Sequence, residues 1–310
     1  MKPLRSLAVC GSVNVDIVVY VDHLPRPGET LHARRTGMGL GGKGANQAAA
    51  VARLGAPVGL VGRTGDDAFG ALAREKLAGF GVGLEHLAVD PASATGTAMI
   101  EIDSAGENTI VVAGGANMAF TEADLAPAHA GLAAAPVLLL QLEIPLPVVL
   151  AAAAVARAGG ARVILDPAPV PADGLPDAAL AAADLVTPNE TETERLVGLC
   201  PANEAEAAVA AERLIRRGAG GAIIKLGARG VYFRGPEGSG FVPPFPVVAI
   251  DSVAAGDSFN GGLAVALAAG QTLGEAVRFA AACGALATTR PGASDAAPTR
   301  AEVEALLAAR

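Results

Sequence analysis

Asp257 stands in the stretch DSVAAGDSFNGG (residues 251–262), directly after Ala254, Ala255 and Gly256. The apolar run SFNGGLAVALAAG follows and predicts a helix that begins there. Small residues at a helix N-terminus leave backbone N–H groups open to an anion. Ala254, Ala255 and Gly256 are therefore candidates for an anion hole around a phosphate in transfer. Asp257 has two readings, a helix N-cap and a general base for a hydroxyl. A distant hydroxyl-binding cluster makes it a candidate base.

That cluster surrounds TGMGLGGKGANQ (residues 36–47). Gly37, Gly39 and Gly42 satisfy G-x-G-x-x-G, but the preceding LHARRT is no apolar strand, so the dinucleotide reading lacks its context. Gly37 to Lys43 satisfies G-x4-G-K, but Gly44 stands where a P-loop places its Mg²⁺-binding hydroxyl. A plain flexible loop leaves Lys43 and Asn46 unaccounted for. The third reading is a polyol clamp. Gly41 and Gly42 let backbone amides approach a small polar ligand. Lys43 and Asn46 offer donors at a helix start, and Asn14 and Asp16 follow the first strand. A carboxylate accepts from two hydroxyls and an amide both donates and accepts, which suits a sugar.

The elements that must position these residues are short apolar runs alternating with helical patterns. Residues 7–10, 58–61, 137–143, 162–166, 184–188 and 221–227 predict buried parallel strands. Helices are expected near 45–54, 66–79, 147–158, 190–198 and 203–217. The alternation predicts an α/β fold with a doubly wound, mainly parallel sheet, in which ligands bind beyond the carboxyl ends of the strands. Asn14, Asp16, Glu143, Asp166, Asn189 and Glu190 fall at those ends. Residues 15–36 and 95–113 alternate apolar and polar and predict a small antiparallel β lid, the second piece a hairpin closed at DSAGEN. A single domain over 1–310 is expected.

Composition narrows the partners. The chain has 310 residues and a net charge of −8, and only 3% of its residues are aromatic. With no Lys/Arg block, nucleic-acid binding is not expected. Cys10, Cys200 and Cys283 form no CxxC motif and are odd in number, which suits a reducing cytoplasm. The N-terminal apolar run is too short for a signal peptide, and the apolar region 137–156 is broken by Gln141, Glu143, Pro145 and Pro147. No membrane partner is expected. His23, His32, His86 and His129 match no metal spacing.

GGKGANQA (41–48) and DSVAAGDSFNGG (251–262) together resemble the two signatures of the ribokinase-like, phosphofructokinase-B-type sugar kinases. The match continues in order through GSVNVD (11–16), PGET (27–30), GDDAFG (65–70), GGAN (114–117), QLEIP (141–145), DPAP (166–169), TPNETE (187–192), KLGARG (225–230) and TRPGA (289–293). The chain is most similar to the ribokinase subfamily. The resemblance implies transfer of the ATP γ-phosphate to O5 of D-ribose. It places Asn14, Asp16, Gly42, Lys43, Asn46 and Glu143 on the sugar, Asp257 as base, and Ala254, Ala255 and Gly256 as the anion hole. Asn189 and Glu190 would serve the phosphates and Mg²⁺, with water between. Lys225, Leu226, Gly227, Ala228, Arg229 and Gly230, with Gly256, would lie along the nucleotide. A K⁺ activator would take Asp251, Val253 and the loop Ala287 to Gly292, including Arg290. Dimerisation through the lid is also implied.

Three positions depart from the family pattern. Asp166 replaces an Asn, Ala281 a His beside adenine, and Ala296 a serine ligand of K⁺, for which Ser294 or Asp295 would substitute. The plain alternative for Asp251 is an ion pair with Arg290. Alternative functions are a kinase for a nucleoside, fructose or another ketose, and a non-catalytic sugar-binding protein.

Overall fold

The structure, a computed structural model, describes residues 6–309; residues 1–5 and 310 of the expected domain lie outside the described residues. In chain order the strands are β1 (Leu7–Cys10), β2 (Asn14–Tyr20), β3 (Arg35–Gly41), β4 (Val58–Gly65), β5 (Leu87–Asp90), β6 (Gly96–Ile102), β7 (Asn108–Ala113), β8 (Val137–Leu140), β9 (Arg162–Leu165), β10 (Leu185–Val186), β11 (Ala222–Lys225), β12 (Val231–Gly235) and β13 (Gly238–Val242). The α-helices are α1 (Lys43–Arg53), α2 (Ala68–Phe80), α3 (His129–Ala134), α4 (Leu146–Ala158), α5 (Asp177–Ala181), α6 (Glu190–Val197), α7 (Glu204–Arg216), α8 (Ala255–Ala268), α9 (Leu273–Ala287) and α10 (Arg300–Ala308).

Strands in the order β13-β12-β11-β10-β9-β8-β1-β4-β5 form the large sheet, parallel except at β12 and β13. Alternate residues of each buried strand feed two cores. Leu7, Val9 and Leu139 pack with α1, α8 and α9, whereas Ala8, Cys10, Leu138 and Leu140 pack with α4 and α7. Period-2 side chains on a sheet covered on both faces require this, and it explains why the strands read as continuous apolar runs. The chain leaves β1 for β4 on one side and later returns to β8 on the other. The crevice between the carboxyl ends of β1 and β8 is therefore the switch point where ligands bind in such sheets.

The small sheet has the order β3-β2-β6-β7. Its β3-β2 and β6-β7 pairs are antiparallel, but β2 and β6 run parallel. The expected piece 15–36 also needs correction. The second strand lies at Arg35–Gly41, so Gly37, Gly39 and Gly41 belong to a strand and not to a loop. β2 begins four residues after β1 ends, and β3 runs directly into α1. The GGKG stretch is thus the joint between the two sheets.

The sequence reading did not include β5, β12, β13, α9 or α10. Thr272–Glu275 and Thr299–Glu302 form capping boxes at the starts of α9 and α10, and T-x-x-E was the signal that marks them.

Candidate active site

The ends of neighbouring strands bring five residue positions into one row. Asn14 follows β1, Gln141 and Glu143 follow β8, Asp166 follows β9, and Lys225 ends β11. Helices α1 and α8 cover this row, and glycine permits the contact between them. A Cβ on Gly261 of α8 would stand 2.7 Å from Ala50 Cβ of α1. Close helix packing presses Asn46 and Gln47 of α1 against Asp257 of α8.

Asp257 is buried, and its carboxylate is held at both oxygens. Asn46 Nδ2 donates to Oδ2 at 3.0 Å and Gln47 Nε2 to Oδ1 at 3.0 Å. It is not an N-cap: that position is Ala254, and no side chain caps the helix. Burial pushes the Asp257 pKa up to about 6. The Lys43 ammonium and the two amides pull against this rise, and the Asp166 carboxylate adds to it.

Ala254 is the one non-glycine residue with positive φ among the described residues, at 56°. That conformation costs an alanine about 1–2 kcal/mol. It turns the chain so that helical bonding begins only with Ser258 N–H to the Ala254 carbonyl, at 2.9 Å. The N–H groups of Gly256 and Asp257 lie ahead of that ladder. Ala255 N–H donates to Ser252 O at 3.3 Å. Gly256 and Asp257 therefore supply open amides, whereas the Ala255 amide is engaged.

The joint between the sheets gathers the expected sugar residues. Gly42 has φ 85°, and a Cβ there would stand 2.7 Å from Asn14 N. A Cβ on residue 41 would overlap the Asp16 carboxylate. Asn117, the last residue of GGAN and given no role in the sequence reading, fixes Asn14: its Nδ2 donates to Asn14 Oδ1 at 2.8 Å while its Oδ1 accepts from Val13 N at 2.8 Å. Glu143 Oε2 accepts from Ser12 Oγ at 2.5 Å and from Lys43 N at 3.0 Å. Burial, then Glu143 and Asp257, push Asp16 up to about 6. Burial would lower the Lys43 pKa, but Asp257, Asp166, Glu143 and Glu192 overcome it and raise it above the ordinary lysine value.

On the opposite side Asn189 caps α6, accepting from Glu192 N at 2.8 Å. Glu190 is paired with Arg229 at 2.8 Å. Glu192 closes the capping box, its two oxygens accepting from Asn189 N at 2.8 Å and Nδ2 at 3.0 Å. Burial raises its pKa, Lys225 and Lys43 oppose the rise and the Asp166 carboxylate adds to it. Residues 227–229 form a tight 3₁₀ turn after Lys225.

The proposed cation segments do meet. Asp251 Oδ1 accepts from Val253 N and Oδ2 from Gly292 N, both at 3.0 Å. Arg290 pairs with Glu302 at 2.8 Å, which corrects the Asp251–Arg290 alternative. The Ser294 hydroxyl donates to Asn46 Oδ1 at 2.6 Å.

A model of the pfkB family of carbohydrate kinases matches residues 4–300. The chain belongs to the pfkB carbohydrate kinase family. It is 41% identical over 298 residues to a ribokinase from Haemophilus influenzae, covering 96% of this chain and 97% of that one. Its structure resembles Arabidopsis thaliana ribokinase complexed with ribose and ATP, with a TM-score of 0.91, 35% identity and 99% of both chains covered. The corresponding values for Thermotoga maritima ribokinase are 0.88 and 37%, over 98% of this chain and 99% of that chain.

As a pfkB kinase the chain is a phosphotransferase acting on an alcohol group, and its candidate site holds a buried carboxylate, open amides and flanking ammonium groups. No group of three or more His, Cys, Asp or Glu side chains among the described residues is arranged to hold a metal ion. Mg²⁺ keeps several waters and shares phosphate oxygens, so one carboxylate such as Glu192 fits it. The Asp251 carboxylate and neighbouring carbonyls fit a hard monovalent cation in kind. No helix among the described residues is long and apolar enough to cross a membrane.

Proposed function

We propose that this protein phosphorylates D-ribose at O5 with ATP, giving D-ribose 5-phosphate and ADP. The observation that carries the reading is Asp257, buried beside the open Gly256 amide, held by Asn46 and Gln47 and within electrostatic reach of Lys43 and Asp16. Asn14, Asp16, Gly42, Lys43 and Glu143 hold the sugar hydroxyls. Asp257 takes the proton from the primary hydroxyl, whose oxygen attacks the γ-phosphorus as the bond to ADP breaks. The Gly256 and Asp257 amides receive the charge that builds on the phosphoryl oxygens. Residues 225–230 line the nucleotide. Mg²⁺, when bound by Glu192 and the nucleotide, supplies charge neutralisation at the phosphates. The ribose and ATP held by the Arabidopsis relative support this assignment of substrates.

The same reading includes a homodimer through the small sheet, supported by its exposed Met38, Met99, Ile110, Val111 and Val112. It also includes a cytoplasmic home, supported by three unpaired cysteines.

A coupled ADP-release assay over ribose, deoxyribose, fructose, adenosine and pseudouridine tests the function. Ribose should give the highest kcat/KM, and Asp257→Asn should lower kcat about 10²–10⁴-fold while keeping ribose binding. Preference for another acceptor would overturn the substrate. Near-full turnover in the variant would overturn the base.

A further inference from the structure

Lys225 and Asp166 form a buried ion pair, Nζ to Oδ1 at 3.2 Å, with side-chain exposures of 14% and 3%. The other Asp166 oxygen, Oδ2, accepts from Gln47 Nε2 at 3.1 Å, the same nitrogen that donates to Asp257 Oδ1. Gln47 is fixed in turn by Gln141, whose Nε2 donates to its Oε1 at 2.6 Å. One amide therefore ties the base to the carboxylate that holds Lys225. At the far end, Lys225 Nζ lies 3.4 Å from where a Cβ on Gly256 would be.

The charges around this array explain what the ammonium is for. Asp16, Glu143, Asp166, Glu192 and Asp257 face one another across the site, against Lys43 and Lys225. Carboxylates outnumber ammonium groups, yet a triphosphate must enter. Asp166 uses one of the three donors of Lys225, leaving two to serve a phosphate oxygen beside the Gly256 amide.

We propose that Lys225 is a catalytic residue that donates directly to the phosphoryl group in transfer, and that Asp166 is the positioning residue that holds it beside Gly256. The Gln47 bridge keeps base and ammonium in one frame, so proton removal and phosphoryl stabilisation share a geometry. This rests on the kinase reading above.

The rival account makes Lys225 only a counter-ion for Asp166, and a variant set separates the two. In the ADP-release assay Lys225→Met should lower kcat about 10²-fold, the loss typical of one oxyanion donor, with ribose affinity unchanged by calorimetry. Asp166→Asn keeps the bond from Gln47 but frees the ammonium, and should lower kcat several-fold. The double variant buries no charge at either position, so it keeps the fold even where Lys225→Met does not. It should stay about 10²-fold slow, and Asp166→Asn should add nothing to Lys225→Met. Affinity for ADP with aluminium fluoride and ribose should fall with kcat, and by much more than affinity for ADP alone. Recovery of parental kcat in the double variant would overturn the proposal in favour of the counter-ion, and independent, additive losses would overturn the pairing. A parent with no ADP release on ribose would sink the kinase reading and this inference together. A parent that turns over no faster than Lys225→Met would sink this inference alone.

Discussion

Asn46 Nδ2 donates to Asp257 Oδ2 at 3.0 Å, and this amide is itself held from behind by the Ser294 hydroxyl. Asn46 was expected on the sugar. Its place between Ser294 and Asp257 predicts a second duty, to fix which Asp257 oxygen points at the substrate. Ser294 stands 248 residues away in sequence, at the start of a 3₁₀ turn after α9.

Ser294→Ala should free the Asn46 amide to rotate. Loss of one buried hydrogen bond costs about 0.5–1.5 kcal/mol of stability. Turnover should fall about tenfold with little change in the ribose KM. Steady-state kinetics and urea unfolding check this, and Asn46→Ala should reproduce the kinetic defect.

Activity should depend on two ionisations. Asp257 must be charged to take a proton and Asp16 to accept from hydroxyls, and both titrate at about 6. Plotted against pH, log kcat/KM for ribose should therefore rise with a slope approaching two below about pH 6 and level off above it. Asp16→Asn should reduce that slope to one. A flat profile between pH 5 and 7 would remove Asp257 as the base.

The same shift predicts the sign of a stability change. The folded pKa of Asp16 lies above its unfolded value of 3.8, so the folded chain binds more protons between about pH 4 and 6. The stabilising contribution is present below that window and is lost as pH rises through it. Parent stability relative to Asp16→Asn should decline by at most about 3 kcal/mol across the window, measured by urea unfolding at pH 4.5 and 7.

Asp16→Ala should weaken ribose binding by roughly 1.5–3 kcal/mol, the value of a charged hydrogen bond, with ATP binding unaltered. Calorimetry with each ligand separately checks this. An equal loss of both would point to misfolding.

K⁺ should raise turnover above Na⁺ at matched ionic strength, and Asp251→Ala should abolish the difference. The Asp251 carboxylate bridges Val253 N and Gly292 N, so it already ties the two segments a cation would join. Equal rates in potassium-free buffer would exclude the site.

Much of this protein is legible in the sequence. The apolar strand runs, the helices between them and the two glycine-rich signatures are local patterns, fixed by side-chain periodicity and by where a backbone must turn. They yielded the doubly wound sheet, the separate small sheet, and Asp257, Lys43, Asn14 and Asp16. Local patterns do not contain long-range pairing. Whether β2 meets β6 in parallel, or whether Gly37 and Gly39 lie in a strand, depends on what packs across the chain. The same limit hid the partners of the base. Gln47, Asn117 and Gln141 are ordinary amides in sequence, and Ser294 drew notice there only as a cation ligand; their part around Asp257 and Asn14 emerged because buried polar groups must find partners. Tertiary structure also divided the acidic pair in TPNETE, sending Glu190 to Arg229 and Glu192 toward Lys225 and Asp166. Two residues apart on a helix point to different sides, and only the packing of α6 on the sheet decides which side is the site.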